Sequence, residues 1–340
     1  HPDVDPDTTS AAHLIPSAGK NCLTEEDEQL LRNAATEYYG ADLEDVSLAS
    51  LVVEHDISVA NGSGYGGGGD GGSRRANETS HVEEQLQFRI DLGYSELWRR
   101  LIADGPLDAR LGHAVTSVAR NKDGGNICVT TVAHQTFTAR RVIVTVPLAL
   151  LQEEKIAFEP ALSASKQKAI KSLGSGQVAK VILTFSRVFW PKDFTFIWTA
   201  RPSQVIWRPG EGHDGEFAEH STILTAFFGG QDCKTAAGMT EAHVVDSVLS
   251  DLAHIFQRSK DDLRANLVHG TFVNWTNDPW SRMGYSYDPM ESAGMRPRLA
   301  APEWDGTLLF AGEATSEAQY ASVHGAIEEG ERAAGEAVMA

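Results

Sequence analysis

Thr307 to Met339 reads TLLFAGEATSEAQYASVHGAIEEGERAAGEAVM, and the interpretation of the chain turns on this stretch. Thr307 to Phe310 is a short apolar run of strand character, and Ala311-Gly312 breaks it. A polar segment leads to Val323, after which Ala326, Ile327, Gly330, Ala333, Ala334, Ala337 and Val338 recur at helical spacing. Glu328, Glu329, Glu331, Arg332 and Glu336 fill the intervening positions. The unit is a strand, a glycine turn and a helix with small residues on its packed side. The free N–H groups of that helix's first turn suit a phosphate or an electron-rich ring carbonyl at the strand end. Shape alone does not decide for a cofactor, because most such units bind nothing.

The residues are more specific than the shape. Phe310-Ala-Gly-Glu-Ala-Thr315 followed by Tyr320-Ala-Ser-Val-His-Gly-Ala326 resembles the C-terminal flavin-binding signature of the FAD-dependent amine oxidases. That family includes polyamine oxidases, monoamine oxidases and flavin-dependent histone lysine demethylases. Lys180-Val-Ile-Leu-Thr-Phe-Ser-Arg-Val-Phe-Trp190 resembles the family segment whose lysine holds a water beside flavin N5. Asn274-Trp275-Thr-Asn-Asp-Pro-Trp280-Ser-Arg-Met-Gly-Tyr285-Ser-Tyr287 resembles the segment that walls the flavin and substrate site.

What the resemblance implies is FAD as cofactor, with a cationic amine of polyamine type and O2 as reactants. It assigns Lys180, Tyr285 and Trp275 to catalysis, and Val115, Thr145, Val146, Pro147, Trp280, Gly312, Glu313, Ser322 and Val323 to the cofactor. Tyr285 would flank the substrate amine, since aromatic faces attract cations. The chain departs from the family pattern at Met283 and Gly284, where glycine and serine are commoner, and Ser322 supplies no second ring for an aromatic cage. The implied fold is mixed α/β: an incomplete FAD-binding domain interleaved with a substrate domain on a mixed β-sheet. The implied division assigns 1–105 and 161–285 to the substrate side, and 106–160 and 286–340 to the FAD side.

Physical chemistry bears on the same residues independently. Lys180 sits inside an otherwise apolar strand, Val178 to Phe185, where an amine must snorkel, pair or work. A strand-end lysine reaching solvent is the plainer reading; a desolvated one would have a lowered pKa suited to proton chemistry. Four aromatic residues in the fourteen from Asn274 to Tyr287, broken by Pro279 and Gly284, form a turn presenting rings to a cavity rather than one regular core stripe. With Lys180, the rings Trp275, Trp280 and Tyr285 are expected to converge on one cavity.

Gly62-Ser-Gly-Tyr-Gly-Gly67 spells GxGxxG, but no helix pattern follows it. Eight of the thirteen residues from Asn61 to Ser73 are glycine, the composition of a flexible loop. The family's strand-GxGxxG-helix unit, which binds the ADP half of FAD, therefore has no counterpart here. The chain reads as a family member lacking that segment, and alone it is expected to show no turnover.

Elsewhere the 340 residues, 41% hydrophobic, suffice for one large or two ordinary cores. With 29 basic against 47 acidic residues the net charge is −18, which disfavours nucleic acid as partner and favours cationic ligands. Three scattered cysteines and twelve histidines without ligand spacing offer neither a disulfide framework nor a metal site. No apolar run approaches the ~20 residues that span a bilayer. Compartment stays open, an intracellular one being favoured.

Patterns predict helices from Thr24 to Gly40, Ser47 to Val53, Glu96 to Ala103, Ser163 to Leu173 and Thr240 to Phe256. They predict strands at Leu86 to Ile90, Gly112 to Ala119, Ile127 to Ala133, Gln135 to Arg140, Arg141 to Val146, Val178 to Phe185, Ile223 to Phe228 and Leu267 to Trp275. Two rival readings remain. An L-amino acid oxidase would need a buried arginine such as Arg208, Arg282 or Arg296 for the substrate carboxylate, and a non-catalytic remnant would act as a binding module.

Overall fold

The computed structural model describes residues 8, 10, 24–47, 93–105, 107–121, 125–192, 194–209 and 221–339. The glycine-rich loop at 61–73 and the expected strand at 86–90 lie outside them.

The first helix, Glu25–Tyr39, is followed after the undescribed stretch by helix Tyr94–Asp104. Strands β1 (Val115–Arg120), β2 (Ile127–Thr131), β3 (Thr136–Ala139) and β5 (Ala157–Glu159) make one sheet in the order β3-β2-β1-β5. Its β1–β5 pair is parallel and its other pairs are antiparallel. Strand β4 (Val142–Val144) lies outside this sheet and pairs in parallel with β13 (Leu308–Phe310), which comes from the far end of the chain. Only three residues of the expected run Arg141 to Val146 are strand, because Pro147 turns the backbone into helix Leu148–Gln152. Ile143 is 37% exposed, so β4 buries one face and not both.

The second large sheet has the order β11-β7-β10-β9-β8 and is antiparallel throughout. Its strands are β7 (Val178–Phe185), β8 (Phe196–Trp198), β9 (Val205–Trp207), β10 (Ile223–Gly229) and β11 (Leu267–Asn274). Burial along β7 alternates: Ala179, Val181, Leu183 and Phe185 are buried, while Lys180 and Thr184 are half-buried and Ile182 is exposed. The buried set packs with Leu224, Ala226 and Phe228 of β10 and with Val244, Val248, Leu249 and Leu252 of helix Glu241–Ile255. The two-residue strands β6 (Gly174–Ser175) and β12 (Ser286–Tyr287) pair separately.

A second core gathers Val118, Ile127, Val144, Leu148, Leu308 and Phe310, together with Leu162, Ala169, Ile170, Leu173 and Met283. Into it reaches Lys166, only 1% exposed, whose Nζ donates to the carbonyls of Leu299 and Ala301. Those carbonyls lie at the C-terminal end of helix Met295–Ala300, so the lysine caps that helix from another element.

The predicted helices form where the capping residues stand: Ser163 and Thr240 accept from Lys166 N and His243 N. Ser47 departs from expectation. It bridges Ser10, and Val46 bridges Pro289, so the described end of the expected Ser47–Val53 helix is extended backbone. Helices Gly230–Ala237 and Lys260–Asn266 and strands β5, β8 and β9 are short elements that no periodicity in the sequence announces.

Candidate active site

The parallel pair β4–β13 ends on a cleft of about 310 Å³. Thr145, Val146 and Pro147 follow β4 along one wall, and Ala311, Gly312, Glu313, Ala314 and Thr315 follow β13 along another. Trp275, Met283, Gly284 and Leu299 also line it. The far-separated motifs that carry Thr145 and Glu313 thus meet, as the parallel register Val144↔Phe310 requires. At Gly312 φ is +115°, a backbone that favours glycine and brings the turn close to the carbonyl of Thr145.

Glu313 braces the site. Its carboxylate accepts from Ser286 N at 3.1 Å, Ser286 Oγ at 2.7 Å and Ala321 N at 2.8 Å. It thereby joins the aromatic segment to the loop before the last helix, Val323–Met339. Ser322 Oγ accepts from Gly325 N at 3.1 Å and caps that helix. Gly325 has no room for a side chain, since a Cβ there would lie 2.0 Å from the carbonyl oxygen of Gln319. Val323, 39% exposed, opens the helix; Val115 opens β1 and packs half-buried against the core of the β4–β13 side.

The two departures from the family pattern have structural reasons. Met283 is buried, and its sulfur accepts from Ala149 N at 3.3 Å, satisfying a donor in the first turn of helix Leu148–Gln152. Gly284 lies against β7, where a Cβ would come within 2.5 Å of Val178.

The four residues expected around one cavity are not gathered there. Trp275 lines the apolar cleft. Tyr285 lines a second, more polar cleft of about 420 Å³ with Glu37, Gln319, Tyr320, Ser322 and His324. Trp280 is 64% exposed and borders neither cleft, because Pro279 and the Asp278 turn carry it outward. Lys180 lies half-buried on the second face of the five-stranded sheet, beside the buried Phe227, its Nζ 5.3 Å from the centre of the Trp207 ring. The clefts are neighbours: Gly284 lines one and Tyr285 the other.

Glu37, which no sequence motif marks, joins this region to the first helix. Trp198 Nε1 donates to its carboxylate at 3.3 Å, and the Tyr285 hydroxyl donates to its backbone carbonyl. Burial holds the Glu37 carboxyl above the usual range, against the Trp198 hydrogen bond and the nearby Lys180 charge. Burial likewise holds Lys180 below the usual lysine range, against the Glu37 charge. The only sequence signal for Glu37 was its place one turn before a helix-ending glycine, which is common to many surface acids.

None of the three candidate arginines faces a cleft as a spare cation. Arg282 pairs with Glu153 at 3.0 Å. Arg208 Nη1 donates to the Lys192 carbonyl at 3.3 Å. Arg296 is 3% exposed and donates to Ser286 Oγ at 2.8 Å. Its Nε lies 2.8 Å from Asp288, close enough for an ion pair though not aligned as a hydrogen bond, and its guanidinium stacks 3.5 Å over the Tyr320 ring.

Comparison with known proteins places this geometry. The family described as "Flavin containing amine oxidoreductase" matches residues 16–338. The chain belongs to that family. It is 31% identical over 271 residues to human lysine-specific histone demethylase 2, covering 76% of this chain and 32% of the demethylase. It is 34% identical over 234 residues to polyamine oxidase 2 of Arabidopsis thaliana, covering 67% and 44%. The matches therefore span between about a third and a half of the relatives' own length. The fold aligns with cyclohexylamine oxidase of Brevibacterium oxydans at a TM-score of 0.72 and 18% identity, over 98% of this chain and 68% of that one. The FAD-dependent amine oxidase family and its mixed helix-and-sheet fold, expected from the motifs, are what the comparisons return.

The residues of the apolar cleft fit the ring end of a flavin: apolar walls, a threonine and a carboxylate at the edge, and a glycine turn that lets the backbone approach. They do not fit its diphosphate. Among the described residues lining the cleft there is no lysine, arginine or histidine. No described helix is long and apolar enough to cross a membrane.

Proposed function

We propose that this chain carries the ring-binding and amine-binding parts of an FAD-dependent oxidase acting on a cationic amine, with O2 as electron acceptor. The carrying observation is the junction of the Thr145–Pro147 and Gly312–Thr315 turns on one apolar cleft at the ends of parallel strands. In this reading Thr145, Val146, Pro147, Gly312 and Glu313 hold the ring end, with Val115, Ser322 and Val323 bracing the elements around it. The bound flavin would supply the acceptor for the hydride that leaves the carbon next to the amine.

The chain's own residues do the rest. Trp275 and the apolar lining exclude water from the cleft. Tyr285 and Glu37 shape the adjoining polar cleft for an amine. Lys180, a half-buried amine whose pKa is lowered by burial, holds a water or moves a proton near it. The division into a cofactor side (106–160 and 286–340) and a substrate side (1–105 and 161–285) belongs to the same reading. The −18 charge favours the approach of cations. An L-amino acid substrate is disfavoured, because Arg296 and Arg282 already have acidic partners.

The test is the absorbance of the purified full-length protein and its oxygen uptake with a panel of mono-, di- and polyamines. Oxidised-flavin bands with amine-dependent oxygen uptake support the reading. Colourless protein that takes up no added FAD contradicts it and leaves a binding module.

A further inference from the structure

Glu37 lines the polar cleft, and its carboxylate has few partners. Glu37 receives one hydrogen bond on its side chain among the described residues, from Trp198 Nε1, although a carboxylate offers about four acceptor positions. Behind it stands an amine with none. Lys180, Phe227, Val205 and Trp198 lie directly opposite one another on β7, β10, β9 and β8. This row leads from the lysine to the indole that holds Glu37. Lys180 Nζ lies over the Trp207 ring and makes no hydrogen bond or ion pair among the described residues. Anion and cation each sense the other's charge, and in both burial is the larger influence. The pair is thus half-buried and incompletely compensated, a poor end state and a good receiving state for a third charge.

We propose that Glu37 is the docking carboxylate for the substrate's ammonium group, and that an arriving ammonium replaces Lys180 as its counter-charge, so that amine binding expels a proton from the Lys180 amine to solvent. The inference rests on the amine reading above and deepens it by naming how the charge is recognised. The sign follows from the two charges. Glu37 alone supports the charged form of Lys180, and a ligand cation both cancels that support and adds like-charge repulsion. The N–H bond of the lysine ammonium breaks, its proton goes to solvent, and the lone pair stays on Nζ. The lysine then enters the reaction neutral, able to accept a proton. The other titratable groups on this cleft are Tyr285, Tyr320 and His324, with Arg296 stacked behind Tyr320 and His324 held by Gln319 at 2.7 Å.

Calorimetry of 1,4-diaminobutane binding to the full-length protein, in buffers of different ionisation enthalpy, tests this without turnover. Wild type should release on the order of one proton per bound amine at a pH where free Lys180 is charged. Lys180→Met should bind at least as tightly as wild type and release none, whereas Glu37→Gln should bind about tenfold more weakly or worse. His324→Gln should release the proton as wild type does. Wild-type binding without proton release, a Lys180→Met variant that still releases it, or a folded Glu37→Gln variant of unchanged affinity would each overturn the inference and leave the amine reading standing. Should Glu37→Gln fail to fold, the wild-type and Lys180→Met heats still decide. No binding of any amine would overturn both.

Discussion

Lys180 shows how much one residue in the wrong company reveals. An amine inside an otherwise apolar strand must snorkel, pair or work, and in the structure strand alternation turns Lys180 to the face opposite the buried Ala179, Val181 and Leu183. What the sequence could not supply was its neighbour. Glu37 lies on another element, 143 positions earlier, and nothing around it in the chain marks it as more than a helix-surface acid. In the flavin-loaded protein, Lys180→Met should leave FAD bound and slow bleaching of the flavin by a good amine on the order of 10²–10⁴-fold, the range for losing a positioned proton-transfer group. Normal rates with every amine would make Lys180 an ordinary strand lysine. Lys166 gives a second prediction. Burial pushes its amine down from 10.5 to about 7, against Glu303. The unfolded chain therefore holds a proton there that the folded chain has given up, and stability should rise with pH between those values. The stability difference between wild type and Lys166→Met, followed by denaturant unfolding against pH, should grow in favour of wild type across that window. A difference flat with pH would contradict the assignment.

At the scale of elements, the last helix depends on its first turn. Ser322 caps it, Glu313 fixes the preceding loop through Ala321 N, and Gly325 lets the helix start press against Gln319. Gly325→Ala should therefore lower stability by about 1–3 kcal/mol, the usual effect of overpacking, rather than raise it as alanine does in an open helix interior. A higher Tm for that variant would show that the turn relaxes freely. Elements with a clear period and a capping residue were legible in the sequence to within a residue or two: Val178–Phe185 as strand, and Glu241–Ile255 between Thr240 and Phe256. Those fixed by distant partners were not. Strands β8 and β9 exist because β10 offers an edge, and β4 is short because only three residues find β13 beside them.

Across the whole molecule, the motifs told which segments meet but not which side chains share a cavity. Thr145 and Glu313 do meet, since parallel pairing of two apolar strands leaves their following turns at one end. The aromatic segment disperses instead, with Trp275 in the apolar cleft, Tyr285 in the polar one and Trp280 exposed. Side-chain direction after Pro279 and Gly284 depends on contacts with Val178 and Glu313 that a linear motif does not encode. We propose that the cleft between the Thr145 and Gly312 turns holds the flavin that oxidises an amine. Anaerobic addition of an amine to the purified full-length protein, followed by visible absorbance, tests it most directly. Oxidised-flavin bands should bleach on addition of the amine and return with O2. A colourless protein that takes up no FAD, or flavin bands that no amine bleaches, would contradict it.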